Sequence, residues 1–204
     1  MTPPAAARSL PILTFDGADV AASFGYVFDA SWVAPFESIV SMLWKFGRMN
    51  GLAGSRVVGQ LSATPLDPYE GVPASAAGVD VRRVARLLGL TQKAVRSGLG
   101  SRTGRRAMNL RLRHCARCMR GGYHSVVHQF LDAMQCPIHG DWLEEGCRGC
   151  GHASDYWLDA QLLDAPFRCA RCRRPYAPGH GLSVQRPRPL PTPLRIAMTR
   201  AYFT

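Results

Sequence analysis

Every cysteine of this chain lies between positions 115 and 172, and with one histidine they form four pairs of identical spacing. The pairs are Cys115-x2-Cys118, Cys136-x2-His139, Cys147-x2-Cys150 and Cys169-x2-Cys172. Two residues between ligands let one tight turn aim both side chains at a single ion, and two tetrahedral zinc ions need eight ligands. Cys115, Cys118, Cys136, His139, Cys147, Cys150, Cys169 and Cys172 are those eight. The gaps of 17 residues (118 to 136) and 18 residues (150 to 169) leave room for a hairpin or short helix that returns the chain to the ion. Local closure favours sequential pairing, the first two pairs on one ion and the last two on the other. A cross-braced arrangement, first pair with third, is the alternative.

Other uses of the thiols fit less well. An odd count of seven cannot close into intramolecular disulfides alone. No thioredoxin-like strand pattern precedes either Cys-x2-Cys. Four protein ligands per ion make closed, structural sites, whereas a catalytic zinc keeps one position for water. Units this small bury too little surface by themselves, so the metal contributes to folding. The remaining histidines are weaker ligands. His114 adjoins Cys115; His124 and His128, four apart, are predicted on a helix as surface or packing residues; His152 and His180 flank the second site and could support its ligands.

Charge is as localised as the cysteines. The formal net charge of the 204 residues is +11. Residues 1–80 carry −3, residues 121–204 carry +2, and residues 81–120 carry +12 with no acid at all. Such a stripe is the footprint of phosphate contact, although a solvated face or an acidic protein partner would also use it. The candidate nucleic-acid-binding residues are Arg82, Arg83, Arg86, Gln92, Lys93, Arg96, Arg102, Arg105, Arg106, Arg111 and Arg113. Apolar residues make up 47%, enough for a packed core. No apolar run approaches the roughly 18–20 residues of a membrane span. Met1–Ala7 lacks the basic and apolar regions of a secretory signal, so a cytoplasmic location is expected.

The pattern predicts a mainly α chain: a helix-turn-helix-type module followed by two small zinc-finger units. Residues 1–30 read as an extended lead-in with room for one strand. A helical module spans 31–110, a tandem zinc domain 111–178 and a Pro/Arg-rich tail 179–204. Phe36, Ile39, Val40, Leu43 and Trp44 keep helical phase, with Glu37 in the first turn and Gly51 as a stop. Residues 62–79 read as loop. Asp80 caps a helix facing inward with Val84, Leu87 and Leu88, Gly89 breaks it, and Thr91 caps a second with Ala94, Val95 and Leu99 inward. Gln92, Lys93 and Arg96 then point outward, and Gln and Arg are residue types that read base edges. A plain helical hairpin is the competing interpretation. Tyr123, Val126, Val127, Phe130, Leu131 and Met134 keep helical phase inside the first zinc unit and are expected to pack on its neighbour. Residues 193–203 suit a short docking helix or an interaction peptide.

Three blocks in order resemble the TniQ family of transposon target-selection proteins. Glu37-Ser38-Ile39-Val40-Ser41-Met42-Leu43, closing with Asn50-Gly51-Leu52, is similar to the family's E-S-x-x-S-x-L…N-G-L signature. Arg113-His114-Cys115-Ala116-Arg117-Cys118, then Tyr123, then Cys136-Pro137-Ile138-His139-Gly140, resembles R-x-C-x-x-C…Y…C-P-x-H-G. Cys147-Arg148-Gly149-Cys150-Gly151 is similar to the C-x-x-C-G that follows. The resemblance covers roughly residues 33–175. Departures are Met42 where an aromatic is frequent, Lys45 where Arg is frequent, and Ala116 and Arg148 where Pro often follows a first cysteine. Many relatives continue into a large C-terminal helical domain; this sequence ends at Thr204 and is read as a short form. The resemblance implies a non-catalytic adaptor. It would link DNA or a target-defining complex, an RNA-guided one among the candidates, to the AAA+ ATPase regulator of a transposase. The competing expectation is a stand-alone zinc-dependent DNA-binding transcriptional regulator. The residues offer no nucleophile–base constellation, no phosphate-cradling glycine loop and no open metal position, so no enzyme activity is expected.

Overall fold

The computed structural model describes residues 21–23, 25–100, 106–177 and 191–203. They are mostly helical, with two small two-stranded antiparallel sheets. Strands β1 (Ala21–Ser23) and β2 (Tyr26–Phe28) form a hairpin whose turn uses Gly25 at φ 78°. The lead-in thus holds two strands where one was expected. Residues 1–20 and the tail segment 178–190 lie outside the described residues, as do Arg102, Arg105 and His180.

Helix α1 (Ile39–Met49) begins three residues later than its apolar phase, read from Phe36, suggests. Ser38 is the cap and accepts from the Ser41 amide. Phe36 stands outside the helix at φ 58°, a left-handed conformation that costs a non-glycine residue about 1 kcal/mol. There its carbonyl accepts from the Val126 amide and from the Ser125 hydroxyl. Glu37 precedes the cap and is fully buried, so it does not sit in the first turn as expected. The stop is as expected: Asn50 ends α1 and Gly51 follows at φ 61°.

Helices α2 (Gly54–Val58), α3 (Val81–Leu87) and α4 (Gln92–Gly98) complete the helical segment. Asp80 and Thr91 cap α3 and α4 through the Arg83 and Ala94 amides, and Gly89 turns between them at φ 60°. Val84, Leu87, Leu88, Val95 and Leu99 are buried, as their phase requires, while Ala94 is half-buried. The loop 62–79 is interrupted by strand β3 (Val72–Pro73), which pairs with β4 (Trp157–Leu158) from the C-terminal half.

One buried cluster runs from Phe28 to Tyr176 and joins the helical segment to the second cysteine unit. Helix α6 (Ala160–Leu163), inside the gap between Cys150 and Cys169, lies against α1 and α2. The Trp44 indole donates to the Leu162 carbonyl at 2.7 Å. Gly54 permits this approach: a Cβ there would stand 2.3 Å from the Ala160 carbonyl oxygen. A second cluster gathers Tyr123, Val126, Val127 and Phe130 with Met198 and Tyr202 of helix α7 (Thr192–Phe203). The docking-helix expectation for 193–203 is met. No helix among the described residues is long and apolar enough to cross a membrane.

Candidate metal centres and nucleic-acid interface

The eight predicted ligands assemble in two groups, Cys115, Cys118, Cys136 and His139, and Cys147, Cys150, Cys169 and Cys172. Within each, the donor atoms all lie within 4.8 Å of one another. The pairing is therefore sequential, not cross-braced. The geometry suits a tetrahedral ion. Zn–S bonds of about 2.3 Å put sulfurs roughly 3.8 Å apart along a tetrahedron edge. The observed Sγ···Sγ separations are 3.6 Å for Cys118–Cys136, 3.6 Å for Cys147–Cys172 and 3.7 Å for Cys150–Cys169. His139 presents Nδ1, which lies 3.4, 3.3 and 3.7 Å from the sulfurs of Cys115, Cys118 and Cys136. All seven cysteines are free thiols, so the short separations are not disulfides.

Three of the four turns share one backbone design. Residues flanking the turn pair as Gln135 with Trp142, Gly146 with Ala153, and Arg168 with Pro175. The first ligand's carbonyl accepts from the amide four residues on, at Gly140, Gly151 and Arg173. Those three residues adopt φ of 70°, 72° and 60°. Glycine takes that conformation freely; Arg173 does not. The first turn differs, because Cys115 caps helix α5 (Ala116–Arg120) and Cys118 lies within it.

Crowding of thiols shapes their ionisation. Hydrogen bonds from Cys115 and Cys118 pull Cys136 down to about 3. The same hydrogen bonding to Cys115 and Cys136, with burial, pushes Cys118 far up. Three thiolates packed this closely repel one another, and a dication offsets that repulsion.

The helix expected between Cys118 and Cys136 is not formed; only a 3-10 turn spans Val126–Gln129. Tyr123, Val126, Val127 and Phe130 are buried nonetheless, while Leu131 and Met134 are exposed. The reason lies in a pairing that phase alone does not show. Residues 123–126 run beside residues 35–38: Glu37 bridges Ser125, the Ser38 amide donates to the His124 carbonyl, and the Tyr123 hydroxyl donates to the Pro35 carbonyl. His124 and His128 are fully buried rather than superficial. His124 Nδ1 lies 2.6 Å from the Ser38 hydroxyl and Nε2 lies 2.8 Å from the Arg113 carbonyl. His128 Nε2 lies 4.0 Å from Cys118 Sγ, beside the first centre. Burial holds His124 well below its ordinary range and takes His114 and His128 to about 4.

A buried ion pair, which the sequence did not suggest, closes the same junction. Glu37 and Lys45 meet at 2.6 Å, Glu37 also accepts from the Ala34 amide and the Ser41 hydroxyl, and Lys45 donates to the Trp32 carbonyl. Spacing pointed to none of these roles, because Glu37 and Lys45 stand eight positions apart, outside the i, i+3 and i, i+4 pairs a helix surface offers.

The basic stripe divides in two. Arg82, Arg86, Gln92, Lys93 and Arg96 are exposed on α3 and α4, as expected. Arg83 is half-buried and donates to the Gln60 carbonyl and side chain. Arg113 is a correction: it is buried, donates to the Phe130 and Ala133 carbonyls, and pairs with Glu145 at 3.7 Å. Arg106 is likewise committed. It pairs with Asp132, donates to the Ala201 carbonyl of α7, and stacks 4.2 Å over the Phe130 ring. Arg111 is exposed but faces Asp155 at 3.4 Å. Arg106 and Arg113 thus tie the cysteine units together instead of facing outward. In comparisons with known proteins, no family model and no curated protein matches the chain.

Proposed function

We propose that the chain is a zinc-stabilised, non-catalytic adaptor of transposition target selection, similar to TniQ proteins. In this reading it contacts nucleic acid through α3 and α4 and engages an AAA+ ATPase regulator. Zinc fits both ligand groups by donor chemistry and by edge length. Bound there, it would be structural, since every position of each tetrahedron belongs to a side chain. The pairs α3 and α4 would serve as the helix-turn-helix.

The observation that carries the reading is the cationic face of that helix pair. Arg82, Lys93 and Arg96 are exposed, make no ion pair among the described residues, and sit with Gln92 on two rigid, capped helices. Phosphate contact from such a face gives affinity that falls steeply with salt. Support for the adaptor role is the contact between two blocks of the family-like signature, Glu37–Ser41 with the stretch after Cys118.

The test is duplex binding across a salt series, paired with co-purification of an ATPase encoded beside this gene. Arg82→Ala with Lys93→Ala and Arg96→Ala should flatten the log–log salt slope by roughly 2–3. Unchanged affinity would remove nucleic acid from the reading. High sequence specificity with no ATPase association would favour the transcriptional regulator instead.

A further inference from the structure

A second surface stands apart from the basic helices and has the opposite sign. A groove of about 540 Å³ opens beside the β3–β4 pair. Its walls hold three exposed large apolar side chains, Tyr69 at 72%, Leu110 at 82% and Trp157 at 37%. Trp157 is not loose, because its indole donates to the Glu70 carbonyl at 2.6 Å, which holds the ring against the wall. The polar lining is acidic. Glu70, Asp155 and Asp159 line the groove, and no lysine or arginine does. Glu70 and Asp159 form no ion pair among the described residues, and Asp155 meets only the solvent-exposed Arg111, at 3.4 Å. In a chain of net charge +11, this is a local negative site.

Exposed aromatic and aliphatic walls beside the exposed Glu70 and Asp155 carboxylates, with Asp159 capping α6 at the groove's edge, favour one class of guest. An extended peptide with a polyproline-type backbone lays its rings on aromatic walls at low entropic cost. Arginines on such a peptide stack on tryptophan or tyrosine faces and pair with the carboxylates. We infer that this groove docks a proline-rich, arginine-bearing segment of a partner protein. None of the groove's lining residues is a candidate zinc ligand or belongs to α3 or α4. It would let one partner engage a protein side while the helices face nucleic acid.

The probe is a fluorescein-labelled heptapeptide of alternating arginine and proline, titrated into the zinc-loaded full chain and read by anisotropy. Glu70→Lys with Asp155→Lys changes only exposed side chains, so it should fold and keep its zinc content. It should weaken peptide binding at least tenfold while leaving duplex binding no weaker. Trp157→Leu should weaken the peptide by a similar factor. A glutamine-for-arginine peptide should bind at least tenfold more weakly to the parent chain. Equal binding of that peptide, or no loss in the Glu70→Lys, Asp155→Lys variant, overturns the proposal. So does tighter probe binding after Arg186→Glu with Arg188→Glu, which would assign the groove to this chain's own Arg-Pro segment.

Discussion

Replacing Lys45 by methionine isolates the energetics of the junction between α1 and the first cysteine unit. The Glu37 carboxylate is fully buried and takes three donors, the Ala34 amide at 2.8 Å, the Ser41 hydroxyl at 2.5 Å and the Lys45 ammonium at 2.6 Å. Methionine keeps most of the aliphatic stem of Lys45 but removes the ammonium that neutralises Glu37. Breaking a buried pair from one side costs about 3–5 kcal/mol, because the remaining charge stays desolvated. Two neutral donors remain on the carboxylate, so about 3 kcal/mol is expected. Adding Glu37→Gln removes the stranded charge while an amide oxygen still accepts. The double variant should therefore recover about 2 kcal/mol of that loss. Urea unfolding with saturating zinc reads this directly. At a slope of about 2 kcal/mol/M, Lys45→Met should lower the midpoint by about 1.5 M, and the double variant by about 0.5 M. A Lys45→Met midpoint within 0.2 M of the parent, or a double variant less stable than Lys45→Met alone, refutes the reasoning.

The other perturbations act on the turns and on the buried histidines. Cys136→Ser should lower bound zinc from two ions to one and destabilise the first unit, as read by metal quantification and thermal unfolding; two retained ions would overturn the ligand assignment. Arg173→Gly should stabilise by about 1 kcal/mol, since glycine occupies the matching position in both sister turns, Gly140 and Gly151; a loss of stability would show that the Arg173 side chain contributes more than its backbone costs. Acid should destabilise the fold well before carboxylates titrate. His114 and His128, held at about 4, and His124, also depressed, stay neutral when folded but bind protons near 6.5 when unfolded. Their contribution is whole above pH 6.5 and fades as pH falls toward 4, at about 1.4 kcal/mol per group by pH 5.5. Denaturation at pH 7.5 and 5.5, with zinc content measured in both, checks this; equal stability with zinc retained would contradict it.

What the sequence revealed best was short-range chemistry. A ligand spacing of two, a cap such as Ser38, Asp80 or Thr91, and a glycine after a helix are all decided within one turn of chain. What it concealed was pairing at a distance. The stripe from Tyr123 to Met134 has helical phase, yet the backbone of His124 and Val126 bonds to Ser38 and Phe36, more than eighty positions earlier, and that of Leu131 to Ala107. A hydrophobic period reports which residues are buried, and it did so for Tyr123, Val126, Val127 and Phe130, but it does not say by which backbone geometry. The acidic groove was invisible for the same reason: Tyr69 and Trp157 line one groove only because β3 and β4 pair.

Charge counting erred in an instructive way. A stretch of forty residues with twelve bases and no acid looks like one continuous electrostatic surface. The fold divides it at the boundary between α4 and the first cysteine unit. Before the boundary the bases stand on capped helices, and Arg82, Lys93 and Arg96 face outward. After it, Arg106 and Arg113 are turned inward, where they donate to the carbonyls of Phe130, Ala133 and Ala201. A unit organised around ions instead of long helices leaves many such carbonyls, and a guanidinium with five N–H groups satisfies several at once. Arginine richness near a zinc-type unit is therefore partly architectural. Arg82, Lys93 and Arg96, exposed on α3 and α4 without an ion pair among the described residues, are therefore the bases whose neutralisation tests the proposed polyanion contact.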